Sequence, residues 1–227
     1  TIANVALPHM QGSLSASQDQ ISWVLTSYLV ASAIATTPAA YLANRFGIKQ
    51  VFLFSIIGFT AASMLCGIAS SLDQMVFFRL LQGLFGATLV PLSQTALLDS
   101  WPIEKRASAM AAWGVGVMIG PILGPALGGW LTENYSWRWA FYINLPVGIV
   151  SWFALRMALP QSQPRRIEPM DFTGFAFLSI AIASLQLLLD RGRSEDWVQS
   201  TEIIIESGVA LAAFYLFVVH TVTTRQP

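Results

Sequence analysis

Charge is scarce in this sequence. Only 11% of its 227 residues are Asp, Glu, Lys or Arg, against about 25% in a soluble globular chain. With 55% hydrophobic residues it cannot clothe a water-facing surface, so lipid has to be the solvent for much of it. The formal net charge is zero, which leaves no basic field of the kind nucleic acid attracts. Cysteine occurs once, as Cys66 within an apolar run; a disulfide framework is excluded and a buried free thiol is expected. The only histidines, His9 and His220, are far apart, and no H-E-x-x-H pattern occurs. A membrane-embedded enzyme would need clustered His, Asp or Glu, or a Ser/Lys pair, at membrane depth. No enzyme activity, metal or cofactor is therefore expected.

Long apolar runs fill the space that charge leaves. Charged and turn-forming residues cut the chain into blocks at about 1–12, 21–42, 51–70, 75–98, 107–131, 137–159, 172–189 and 203–221. Most approach the roughly 20 residues that a spanning helix needs. The chain opens at Thr1 inside an apolar run, with no Met and no visible signal peptide, and reads as a piece of a longer protein whose first helix is cut short. The basic residues alternate between sides. Arg45, Lys49, Lys105, Arg106, Arg156, Arg165, Arg166 and Arg225 fall in one set of loops, eight in all; Arg138, Arg191 and Arg193 fall in the other. The positive-inside rule places the eight in the cytoplasm. Trp23, Trp101, Trp130, Trp137, Trp139 and Trp197 stand at block ends, where interfacial anchors belong. The stretch QSQPRRIEP, 161–169, is the longest polar linker and separates six blocks from a following pair.

Three stretches carry more than topology. GVGVMIGPILGPALGG, 114–129, holds six Gly and two Pro without a charge. In lipid such a segment stays helical, because water cannot replace its backbone bonds. Gly116, Gly120, Gly124 and Gly128 recur every four residues. They line one slowly drifting face where another helix can come close. Pro121 and Pro125 each remove a backbone donor and predict a bend. Arg79, in FFRLLQGLFGA, lies inside a block, where an arginine costs about 2.5–3.5 kcal/mol on insertion scales. Being only about one turn in, it can either snorkel outward or face a polar cavity; Gln82 and Gly83 beside it favour the cavity. AYLANRFGIKQ, 40–50, reads as a short turn whose Arg45 and Lys49 are topogenic.

Together these stretches resemble the major facilitator superfamily. The series G-x-x-x-G-P-x-x-G-P-x-x-G-G over Gly116, Gly120, Pro121, Gly124, Pro125, Gly128 and Gly129 is similar to the antiporter motif in the fifth helix of its drug:proton antiporters. The resemblance implies that this segment controls the interface between the two transporter halves. The 40–50 stretch is similar to the gating-loop signature G-x-L-A-D-R-x-G-R-K, with Arg45, Gly47 and Lys49 matching and Asn44 in place of Asp. Asn44 cannot ionise, so the charge lock that the Asp provides in the family is in doubt here. R-x-x-Q-G at Arg79, Gln82 and Gly83 implies proton coupling. TIANVALP, which includes Asn4, resembles the first-helix motif of the fourteen-helix drug antiporters, whose Asp would precede Thr1. SWRWAFYINLPVG, 136–148, and LLDRGRSEDW, 188–197, resemble the multidrug efflux pump subunits of that branch.

The resemblance covers essentially the whole chain. It implies an all-α, polytopic membrane protein: an N-terminal six-helix transporter half over 1–159 with its first helix incomplete, a cytoplasmic linker at 160–170, an inserted helix pair over 171–227, and an absent C-terminal half. The implied function is proton-driven multidrug efflux of lipophilic or amphipathic compounds from a bacterial inner membrane. The implied partners are drugs, protons, the bilayer, the missing half, and a periplasmic adaptor with an outer-membrane channel. A symporter or a nontransporting receptor of the same fold is the alternative, and the 114–129 pattern argues against symport. Asp19, Asp73, Glu133, Glu195 and Asp196 fall in loops, and Asp99, Asp171, Glu202 and Glu206 near block ends. No acid is expected mid-membrane, so the proton carrier is expected before Thr1 or in the missing half, and this stretch alone is not expected to transport.

Overall fold

The computed structural model describes residues 2–160, 169–192 and 200–224. The calls made above on Arg165, Arg166, Arg193, Glu195, Asp196, Trp197 and Arg225 lie outside them. The described residues are helical throughout, without a strand. In chain order they form α1 (Ile2–Ser13), α2 (Gln18–Thr36), α3 (Ala39–Phe46), α4 (Ile48–Ile68), α5 (Leu72–Gly86) and α6 (Leu89–Ser100). A single 3-10 turn (Ile103–Lys105) leads into α7 (Arg106–Asn134), followed by α8 (Trp139–Tyr142), α9 (Asn144–Ala158), α10 (Phe172–Arg191) and α11 (Thr201–Thr223). Among the described residues six spans are long and apolar enough to cross a bilayer, and α2 with α3 makes a seventh if counted as one bent span. The short α1 completes the eight predicted blocks.

Solvent preference is inverted relative to a soluble fold. Large apolar side chains face outward, among them Ile122, Phe172 and Val222, whereas Thr26, Ser27, Ser55, Ser63, Arg79, Gln82, Thr88 and Thr132 are buried. Lipid rewards the first arrangement, and it leaves buried polar groups to find partners inside the protein. Two apolar clusters hold the ends. One joins Met10, Val24, Cys66, Met75 and Phe141; the other, at the end bearing Arg45 and Lys49, joins Ala43, Phe52, Ile56 and Leu92.

Two local expectations change. The 21–42 block is not one straight helix: α2 and α3 meet at 53° around Thr37 and Pro38, since Pro38 has no N–H to continue the ladder. The 40–50 stretch is not a loop. Helix runs through Phe46 and resumes at Ile48, and the whole turn is Gly47 at φ 90°, a conformation a side chain disfavours. At Pro121 and Pro125, α7 continues unbroken as helix through both, because no water competes for the remaining backbone bonds.

The last two helices form a hairpin stapled at both ends. At its start Asp171 caps α10, accepting from the N–H of Thr173 (3.1 Å) and Gly174 (3.0 Å), and its Oδ2 lies 2.8 Å from His220 Nε2 on α11. At the other end Arg191 reaches Glu202 (3.0 Å) and Glu206 (3.6 Å), while Asp190 meets the buried Thr26 hydroxyl of α2 and Arg191 lies over Trp23. The hairpin thus docks on α2. The Gly174 N–H foremost, then His220 and the Thr173 N–H, hold the Asp171 carboxyl below its ordinary range against a smaller opposing effect of desolvation. A depressed carboxyl stabilises above its unfolded pKa, about 3.9, and the contribution disappears as pH falls through the lower folded value. Asp171→Asn is therefore expected to lower the thermal midpoint at pH 7, with the gap to wild type narrowing once the pH drops below about 4. Melting curves across that window check it, and a gap that does not change with pH would count against this cap.

Candidate functional site: a buried guanidinium beside a cavity

Arg79 sits in the second turn of α5, which begins at Ser71, whose side chain accepts from the Gln74 N–H at 3.3 Å. The side chain does not snorkel; it is 7% exposed. Nε donates to the Val24 carbonyl of α2 at 2.9 Å, and Nη1 donates to Gln82 Oε1 at 2.6 Å. The guanidinium lies 4.4 Å from the Tyr28 ring centroid and 5.9 Å from that of Phe141, where the faces of the rings attract a cation. Gln82, three residues on, follows on the same face of α5. Its Nε2 donates to Ser63 Oγ of α4 at 2.8 Å, and Asn144 Nδ2 of α9 donates to the same oxygen at 2.7 Å.

Among the described residues no carboxylate pairs with Arg79. Its charge is met by a carbonyl, an amide and two rings, and a buried cation without a counter-charge is costly. The guanidinium also lines a cavity of about 340 Å³, shared with Asn4, Tyr28, Gln82, Phe141 and Asn144 and with apolar side chains such as Leu25 and Phe59. Its size falls within the range of small-molecule sites.

Of the residues singled out in the sequence, Asn4, Arg79 and Gln82 line this cavity, and Gly83 does not. Gly83 faces α2 instead. A Cβ there would stand 2.6 Å from the Tyr28 carbonyl oxygen and 2.9 Å from the Ala31 Cβ. The backbones of α2 and α5 cross at this point, and the crossing presents Tyr28 to Arg79. Gly83→Ala is expected to cost about 1–3 kcal/mol by overpacking, read as a lowered melting temperature of the purified protein. An unchanged melt would show that the crossing relaxes freely.

Ser63, Asn144, Tyr28 and Phe141 were not picked out as site residues from the sequence. Ser63 and Asn144 carried one usable signal, a polar side chain within an apolar run, and the rings carried none. The residues of the 40–50 stretch lie at the far end. Arg45 Nη1 donates to the Tyr41 hydroxyl at 2.6 Å, Asn44 is exposed, and Lys49 Nζ donates to the Arg156 carbonyl at 2.9 Å and to that of Leu159, closing the C-terminal end of α9. Lys49 is thus a helix cap.

The glycine stripe divides. Gly124 and Gly128 are buried, and a Cβ on Gly128 would stand 2.9 Å from Ile2 of α1. Gly116 and Gly120 meet nothing within 4 Å, and from Val115 to Leu127 only Gly124 is buried. The stripe was expected to be one face closely packed against the absent half. Gly128 instead packs on α1 within this chain.

A helical membrane protein with a buried arginine beside an internal cavity and an open, glycine-bearing helix defines a class, and comparison with known proteins agrees. Residues 1–225 match the Major Facilitator Superfamily, and the chain belongs to that family. It is 44% identical over 231 residues to the multidrug export protein EmrB of Escherichia coli K12, covering 100% of this chain and 44% of that protein. It is 41% identical over 228 residues to the fatty acid resistance protein FarB of Neisseria gonorrhoeae, covering 100% of this chain and 45% of that protein. The chain therefore spans less than half the length of these relatives. A crystal structure of a bacterial homolog of the lysosomal transporter Spinster, inward-facing and unoccupied, shares the fold with a TM-score of 0.54 at 19% identity, covering 100% of this chain and 60% of that one.

Proposed function

We propose that the full-length protein exports lipophilic or amphipathic compounds in exchange for protons, by alternating access in a bacterial inner membrane. The observation that carries this reading is Arg79: a buried cation, bonded only to neutral groups, in the wall of a small-molecule-sized cavity. A positive charge held so is sensitive to any acid that titrates opposite it, and that sensitivity is what proton coupling requires. The acid lies before Thr1 or in the C-terminal half. Residues 1–159 form one rocking half and 171–227 an inserted pair, joined by the 160–170 linker; transport is rocking of two halves about a midplane site. Gly116 and Gly120 stand on the surface offered to the other half, while the Gly47 turn and Lys49 govern the opposite gate. A periplasmic adaptor and an outer-membrane channel complete the path that the resemblance implies.

The cavity favours neutral or anionic amphiphiles, since among the described residues that line it the only charge is positive. The name of one relative, a fatty acid resistance protein, points the same way. The test is uptake of a fluorescent lipophilic probe into inverted vesicles holding the full-length protein. An imposed proton gradient is expected to drive accumulation, and collapsing the gradient to abolish it. Accumulation that ignores the gradient would overturn the exchange reading.

A further inference from the structure

The hydrogen bonds behind Arg79 have a direction, and the arginine sets it. A guanidinium only donates, so Gln82 must turn Oε1 toward it, as it does at 2.6 Å. The amide of Gln82 is thereby oriented with Nε2 toward Ser63 Oγ, at 2.8 Å. Ser63 must accept that bond. It also accepts from Asn144 Nδ2 at 2.7 Å and spends its single proton on the Phe141 carbonyl at 3.2 Å. The hydroxyl, fully buried, is then saturated: two bonds accepted and one donated. Turning Asn144 over would make it compete with the Phe141 carbonyl for that one proton. Asn144 therefore keeps its amine on Ser63, and its Oδ1, with no protein partner among the described residues, is left to the cavity it lines.

We propose that Asn144 is a ligand-contacting residue and that Ser63 is the positioning residue that holds it, together with Gln82, so that the cavity offers a fixed acceptor to a neutral ligand bearing an O–H or N–H. The inference rests on the reading of this cavity as the substrate site. It ties the donor preference of the cavity to Arg79 through the buried Gln82 and Ser63 and the half-buried Asn144, on three helices. Ligands are recognised by an apolar body against Leu25, Phe59 and Phe141 and by one donated hydrogen bond.

The experiment measures equilibrium binding of a long-chain 4-alkylphenol and its methyl ether to the purified full-length protein in lipid nanodiscs, with empty nanodiscs subtracted. The two probes share shape and acceptor oxygen, and only the phenol donates. Wild type is expected to bind the phenol about tenfold more tightly, the upper end of what one net hydrogen bond provides. Asn144→Ala and Ser63→Ala are each expected to bring the ratio close to one while leaving the ether within about twofold, the sparing expected where only the donated bond is lost. A merely structural role would weaken both probes alike. Equal binding of the pair by wild type, no binding of either, or a preference that survives Asn144→Ala would overturn the proposal; a preference that survives Ser63→Ala alone would remove Ser63 from it. If Ser63→Ala does not fold, Asn144→Ala decides. Donor preference without gradient-driven efflux would leave this site standing and sink the efflux reading, whereas efflux without the preference would sink this proposal alone.

Discussion

Arg79→Ala in the full-length protein is expected to abolish drug resistance while the protein still inserts and accumulates in the membrane. Insertion of α5 rests on its apolar length, its cap at Ser71 and its crossing at Gly83, none of which uses this side chain. Its removal relieves the cost of a buried charge rather than adding one. What is lost is the charge proposed to respond to the proton and the donor that orients Gln82. Coupling free energies between sites run to about 1–3 kcal/mol, roughly 5- to 150-fold, and gradient-driven uptake should fall to the upper part of that range. Arg79→Lys should recover little. An ammonium is a point charge and does not span the Val24 carbonyl and Gln82 with the fixed fork of a guanidinium. Paired measurements of membrane abundance and vesicle uptake check both variants. Full uptake by Arg79→Ala would remove Arg79 from the mechanism.

Leucine placed along the glycine stripe of α7 should produce two different kinds of damage. At Gly128 and Gly124 the new side chain pushes against neighbours within this chain. At Gly128 the obstacle includes the backbone of Ile2, 3.3 Å from where a Cβ would stand, and backbone cannot yield as a side-chain tip can. Overpacking of about 1–3 kcal/mol or more should appear as poor accumulation and a lower melt. At Gly116 and Gly120 this chain offers open space, so the protein should accumulate normally. If the absent half closes on this surface, efflux should nonetheless fall, or protons should leak without drug, because close approach there depends on a missing Cβ. Leucine at Val117 or Ile119, already large and exposed, should be tolerated in both assays. A scan of 114–129 scored separately for abundance and for efflux separates these outcomes. Equal loss of accumulation at all four glycines would contradict the division of the stripe.

Much of this was legible before any coordinates, for reasons of solvent. A bilayer admits few solutions, so apolar block length alone located most of the spans. An arginine inside a block is costly enough that Arg79 announced itself, and Gln82, one turn away, followed by helical period. What sequence could not supply was every relation between helices. Pro38 looked no different from Pro121 and Pro125, yet only the first accompanies a break. Proline removes one bond in each case, and whether the ladder survives depends on the residues packed around it. Gly83 and Gly128 were read as cavity and gate because their spacing matched, whereas the structure sets them against backbones of α2 and α1. Ser63 and Asn144 lie 81 residues apart and share no period. Their meeting on one hydroxyl, behind a guanidinium from a third helix, depends on how α4, α5 and α9 cross, and only the tertiary structure decides that.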